Sequence, residues 1–151
     1  MRRRILFVCT GNSARSQMAE ALVNASWGNE WEAFSAGTDP AGYVHPKAIE
    51  VMQEIGISLD GARSKSIDEV RQETFDLVVT VCDGAAEACP TWPGQGRRLH
   101  MGFPDPAKTV GSAEEVLAAF RAVRDSLTRR LQELLGDTAA GHFNPRTLEF
   151  R

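Results

Sequence analysis

The sequence predicts one α/β domain: a four-stranded parallel sheet in a three-layer α/β/α sandwich with flavodoxin-like winding. Three observations carry this. Short apolar, β-rich runs alternate along the chain with stretches of helical periodicity. Each strand-to-strand step is long enough for a helical crossover. At 151 residues the chain is one domain of ordinary size, able to bury a substantial core.

The elements follow in order. Arg4–Val8 is the first strand, and Ser16 to about Trp27 the first helix, with Met18, Leu22 and Ala25 at helical spacing. Trp31–Ala36 alternates as a second strand. His45-Pro46 opens a second helix, proline suiting the first helical position, and Gly56 ends it. Ser66 to about Glu73 reads as a short helix, and Phe75–Val81, rich in β-branched residues, as a central strand. Arg97–His100 is a short fourth strand. Ser112 and Glu115 form a capping box that starts a long final helix, on which Leu117, Phe120, Leu127, Leu131 and Leu134 share a face up to Gly136. The domain is expected over 1–136, with a loosely ordered tail over 137–151.

A net charge of -3 offers no basic surface for nucleic acid. Arg2–Arg4 precede only four apolar residues, too few for a secretory segment or a membrane span, so a cytoplasmic protein is expected. In that compartment the three cysteines point to catalysis or metal binding rather than to structural bridges.

The densest chemistry is Cys9-Thr10-Gly11-Asn12-Ser13-Ala14-Arg15-Ser16, between the first strand and the first helix. A thiol at a helix N-terminus beside an arginine has two features that favour thiolate. The N–H groups of such a loop (Thr10 to Arg15) make a nest for a tetrahedral oxyanion. Arg15 adds a planar fork for two of its oxygens. Gly11 and Asn12 tolerate tight or left-handed backbone, and Ser13 and Ser16 supply hydroxyls. In open parallel sheets ligands bind beyond the carboxyl ends of strands, where Cys9 stands.

Cys82 ends the Phe75–Val81 strand, and Cys89 follows seven residues later before Pro90. If the small residues between them are helical, their Cα atoms lie about 10.5 Å apart along the axis. A disulfide needs roughly 4.4–6.8 Å, so pairing requires that segment to loop out. Either the two cysteines are small buried hydrophobes or they form a redox pair. Three thiols suit a relay for a two-electron reduction, which hydrolysis does not need. No Cys-x2-Cys pair suggests a metal site. Asp105, between Pro104 and Pro106, is held on a rigid turn after the fourth strand, where a protonated carboxyl can serve a leaving oxygen.

Cys9-x5-Arg15-Ser16 followed by Asp105-Pro106 resembles the low-molecular-weight protein tyrosine phosphatase superfamily. With Cys82 and Cys89, and the stretches CTGNSARSQMAEA, SAGT, HPKAIEVMQEIGISL, DLVVTVC, ACP and FPDPA, the chain is similar to its thioredoxin-coupled arsenate reductases. The resemblance spans about Ile5–Leu135. It implies that Cys9 attacks arsenate held by the loop and Arg15 while Asp105 protonates the departing oxygen. Cys82 then attacks Cys9 and releases arsenite; Cys89 attacks Cys82; and reduced thioredoxin, or another low-molecular-weight thiol, restores the pair. Ser16 would hydrogen-bond the Cys9 thiolate and Asn12 would hold the loop. No bound cofactor is expected, and phosphate and sulfate are expected competitors.

Certain members of the superfamily bind potassium through residues matching Asn12, Glu20, Ser35 and an aspartate, where this chain has Lys65. Either Lys65 replaces the cation by pairing with Glu20 or it is a solvated surface lysine. Tyrosine phosphatases usually carry aromatic residues after the Asp-Pro pair, where this chain has Ala107 and Lys108. Aryl phosphate hydrolysis by Cys9, Arg15 and Asp105 is therefore the alternative function, expected as a weak side activity. A non-enzymatic oxyanion-dependent redox sensor is a third.

Overall fold

A computed structural model describes residues 2–84, 92, 96–136, 143–144 and 149–150, the last two pairs by their backbone. In chain order the principal elements are β1 (Arg3–Cys9), α1 (Arg15–Ser26), β2 (Trp31–Gly37), α2 (Pro46–Gln53), β3 (Leu77–Thr80), β4 (Arg97–His100) and α3 (Ala113–Leu135). Two short strands, β5 (Phe143–Asn144) and β6 (Glu149–Phe150), pair antiparallel within the tail.

The main sheet has the order β2-β1-β3-β4, with every pair parallel. Strand order therefore reverses between β1 and β3, and the carboxyl ends flanking that reversal carry Cys9 and Cys82. Ladder hydrogen bonds continue past β3, from Asp76 N to Arg4 O and from Val81 N to Val8 O, both 2.9 Å. The expected strand Phe75–Val81 is thus shorter as a strand than as a paired segment.

Burial divides by sheet face, as the two-residue strand period requires. On one face Ile5, Phe7 and Val79 pack with Met18 and Leu22 of α1, Val51 and Met52 of α2, and Phe120, Leu127 and Leu131 of α3. Leu117 and Leu134 are partly buried against the same core. On the other face a smaller cluster joins Leu6, Val8, Val78, Val70, Phe75 and Trp92. Trp92 packs edge-on against Phe75, the ring centroids 5.8 Å apart.

The ends of the elements follow local chemistry. The capping box at Ser112 and Glu115 starts α3, and Gly136, with φ of 86°, ends it. Trp27 Nε1 donates to Gly136 O at 2.8 Å and ties the end of α1 to the end of α3. The helix expected over Ser66–Glu73 is only a 3-10 turn, Ile67–Glu69, capped by Ser66. Val70 is drawn into the smaller cluster, and Gly37 N bonds Lys65 O at 2.9 Å, so both ends of that segment are pinned to the sheet. Among the described residues, this turn is the helical cover on that face.

Candidate active site

Thr10–Ala14 join β1 to α1, and most of the loop's carbonyls are satisfied by the segment 38–45. Cys9 O accepts from Thr38 N at 3.2 Å, Thr10 O from Asp39 N, Gly11 O from Ala41 N and Ser13 O from His45 N, the last three at 2.9 Å. Ser64 Oγ also donates to Gly11 O at 3.0 Å. The Thr10, Gly11 and Ser13 carbonyls are thereby engaged away from the inside of the loop, the side that a bound anion would take. Ala14, the N-cap of α1, offers no side-chain cap, so the helix start is not closed by its own chain. The segment 38–45 has no signature in the sequence, because it holds the loop through its backbone N–H groups.

Asn12 anchors the loop. It is fully buried with φ of 47°, the one non-glycine residue with positive φ among those described. Its Oδ1 accepts from Lys65 N at 2.9 Å and from Gln17 Nε2 at 3.0 Å, and its Nδ2 donates to Ser16 Oγ at 2.8 Å. Ser16 Oγ lies 2.9 Å from Cys9 Sγ, and Asn12 N donates to that sulfur at 3.2 Å. Two polar contacts thus converge on a buried free thiol. Gln17, unnoticed in the sequence, braces the loop further by donating to Asn12 O and Arg63 O.

A cavity of about 220 Å³ opens over the sulfur, lined by Cys9–Arg15, Ala41, Asp105 and Lys108. Arg15 is buried; its Nη1 donates to Phe103 O at 3.1 Å and its Nη2 lies 3.6 Å from Asp105 Oδ2. Asp105 Oδ1 accepts from Ala107 N at 3.0 Å, capping the 3-10 turn Pro106–Lys108. The fold therefore gathers Cys9, Thr10, Gly11, Asn12, Ser13, Ala14, Arg15, Ser16 and Asp105 in one place. Cys82 is buried beyond the end of the neighbouring strand and is disulfide-bonded, whereas Cys9 is a free thiol. Cys89 lies outside the described residues. Lys108 and Ala41 are cavity-lining residues that the sequence did not single out for binding.

Behind the loop, Lys65 Nζ lies 3.9 Å from Glu20 Oε1 and donates to Arg63 O at 3.1 Å. Burial pushes the Glu20 carboxyl above its ordinary value, opposed by Lys65 and by nearby Ser35. Ser35 Oγ is buried and meets no partner in hydrogen-bonding geometry among the described residues. Asn12, Glu20, Ser35 and Lys65 are therefore neighbours, and the set brings an ammonium rather than a further carboxylate to Glu20.

His45 caps α2, its Nδ1 accepting from Lys47 N at 3.0 Å, and its ring stacks 4.6 Å from Phe120. Burial lowers its affinity for a second proton, opposed by the charge of Asp105.

Comparison with known proteins agrees with this arrangement. An arsenate reductase of Halalkalibacterium halodurans is 47% identical over 128 residues, covering 85% of this chain and 91% of the relative. The crystal structure of arsenate reductase from Archaeoglobus fulgidus superposes with a TM-score of 0.74 at 32% identity, over 88% of this chain and 99% of that one. A thioredoxin-dependent arsenate reductase of Corynebacterium glutamicum gives a TM-score of 0.59 at 28% identity, over 88% of this chain and 63% of that one. The family model described as low molecular weight phosphotyrosine protein phosphatase matches residues 4–142. With Cys9, Arg15 and Asp105 brought around one oxyanion-sized cavity, the chain belongs to the low molecular weight phosphotyrosine protein phosphatase family.

Proposed function

We propose that this protein reduces arsenate to arsenite by passing a disulfide from Cys9 through Cys82 to Cys89, with thioredoxin as electron donor. The observation that carries the reading is a free Cys9 thiol in an oxyanion cavity beside a strand whose own terminal cysteine, Cys82, is disulfide-bonded. Hydrolysis would use the first thiol and leave the second without a task. The arsenate reductases of similar sequence and structure support the substrate, and the thioredoxin-dependent relative supports the donor.

In this reading arsenate sits with three oxygens on the loop N–H groups and Arg15. Cys9 thiolate forms a bond to arsenic as one oxygen leaves, protonated by Asp105. Cys82 thiolate attacks the Cys9 sulfur; the Cys9–arsenic bonding pair stays on arsenic, which departs as arsenite, reduced by two electrons. The product is a Cys9–Cys82 disulfide. Cys89 attacks Cys82 and frees Cys9, and the thioredoxin dithiol reduces the Cys82–Cys89 bond. Phosphate and sulfate compete for the same nest. A reducing compartment, the cytoplasm, suits the cycle, and none of the described helices is long and apolar enough to cross a membrane.

Aryl phosphate hydrolysis remains a side activity. The described cavity lining has no aromatic side chain to flank a substrate ring.

The deciding assay is arsenate-dependent NADPH oxidation with thioredoxin and thioredoxin reductase. Wild type is expected to turn over and Cys89→Ser to stop, while slow p-nitrophenyl phosphate hydrolysis persists in both. Absence of arsenate-dependent oxidation, together with brisk hydrolysis indifferent to Cys89→Ser, would overturn the proposal.

A further inference from the structure

The 3-10 turn Pro106–Lys108 carries two charges over the oxyanion cavity. Asp105 begins it as its cap, and Lys108 ends it, with Lys108 N bonded to Asp105 O at 3.1 Å. Both side chains line the cavity above Cys9. Asp105 lies 3.6 Å from Arg15, whereas the Lys108 ammonium, exposed at the mouth, has no ion pair or hydrogen bond among the described residues. A cation without an ion pair among the described residues therefore stands on the same short turn as the carboxyl group.

An oxyanion attacked by Cys9 presents its fourth oxygen away from the sulfur, because attacking and leaving atoms lie in line. That oxygen faces the mouth and the turn. In inorganic arsenate or phosphate it is small and accepts hydrogen bonds. In an aryl ester it carries a ring, which needs apolar wall rather than an ammonium, and the alanines among the described lining residues, Ala14 and Ala41, are too small to supply one.

We propose that Lys108 is a specificity-determining residue, binding the outward oxygen of a free inorganic oxyanion and disfavouring aryl esters. This rests on the reductase reading above for its physiological substrate, but not for its anion-binding test. The contact is made in the ground state as well as in the transition state, so it acts on affinity rather than on the chemical step.

The experiment compares wild type with Lys108→Gln and Lys108→Arg. It measures KM and kcat for arsenate reduction, KM and kcat for p-nitrophenyl phosphate, and inhibition of that hydrolysis by inorganic phosphate. For Lys108→Gln, arsenate KM and phosphate Ki are expected to rise together by about three- to tenfold, the range of one exposed charge-assisted contact. kcat is expected to stay within about twofold, because uniform binding has been removed. Aryl phosphate kcat/KM should hold or rise, and Lys108→Arg should restore inorganic anion binding. The proposal is overturned if Lys108→Gln leaves phosphate Ki unchanged, or weakens ester and inorganic anion equally, or lowers kcat alone. Loss of the reductase reading would appear separately, as wild type without arsenate-dependent turnover, and the phosphate arm would still decide the role of Lys108.

Discussion

The side-chain amide of Asn12 donates to the hydroxyl of Ser16 at 2.8 Å, and the same hydroxyl oxygen lies 2.9 Å from the Cys9 sulfur. When Cys9 acts as a thiolate, the only hydrogen between the two atoms is the serine's, and the Ser16 O–H donates to sulfur. The buried amide thus orients the group that contacts the nucleophile. Ser16→Ala removes a donor from sulfur and leaves Asn12 Nδ2 without its acceptor. p-Nitrophenyl phosphate kcat is expected to fall about tenfold with little change in KM, and chemical denaturation to show a loss of about 1–2 kcal/mol. Unchanged kcat would detach the serine from the nucleophile.

Gly37 closes β2 opposite Cys9, and it has no room for a side chain. A Cβ there would stand 2.4 Å from Thr10 O and 3.0 Å from Asn12 N. Gly37→Ala must therefore push the anion loop itself, at a cost of about 1–3 kcal/mol. Activity should fall by more than the stability loss explains, measured as kcat/KM below the unfolding temperature. Gly42→Ala is the contrast: its φ is 89°, but nothing lies within 4 Å of the added carbon, so strain should appear there without loss of anion binding.

Glu54 gives the clearest pH dependence. It accepts a forked pair of bonds from Arg121, the shortest 2.6 Å, and one from Arg124 at 2.9 Å, clamping α2 to α3. These bonds, Arg121 first, hold its carboxyl down at about 2 against an ordinary 4.5. A depressed folded-state value means stability that is fully present above about 4.5 and lost as pH falls toward about 2. Melting temperature in wild type should therefore drop more steeply through that window than in Glu54→Gln. Parallel curves would show that the clamp adds no pH-dependent stability.

Lys65 and Glu20, 3.9 Å apart behind the loop, give a prediction about salts. With the lysine ammonium in place of a cation, potassium and sodium at equal ionic strength should support the same rate. Lys65→Met keeps the backbone N–H that bonds Asn12 and removes only the charge that opposes the raised Glu20 value, so the Glu20 carboxyl should titrate higher while the loop stays in place. Clear stimulation of wild type by potassium over sodium would refute the substitution.

Much of this arrangement was legible in the sequence because it is local. Ser112 with Glu115 marked the start of α3, Gly136 marked its end, and the Cys9–Ser16 spacing described the loop. Asp105 was placed by its position after the last strand. What escaped notice was contributed by backbone or by distant segments. The amides of 38–45 that turn the loop's carbonyls outward have no residue signature. Gln17 reads simply as a polar helical residue until Arg63 O and Asn12 come within reach. The helix expected after Ser66 failed for a related reason: burial of Val70 and pairing of Gly37 with Lys65 overrode local propensity. Lys108 carried no message until the turn set it over the cavity.

Asp105 spends one oxygen closing the Pro106–Lys108 turn and points the other toward Arg15. Those two obligations narrow what evolution can put there. Asparagine would keep the turn but has no acidic proton to give, and glutamate would keep the proton on an arm one carbon too long to cap its own neighbour. A position answering to both demands has no stepping-stone residue, so drift at this site would have to pass through an enzyme lacking either its shape or its acid.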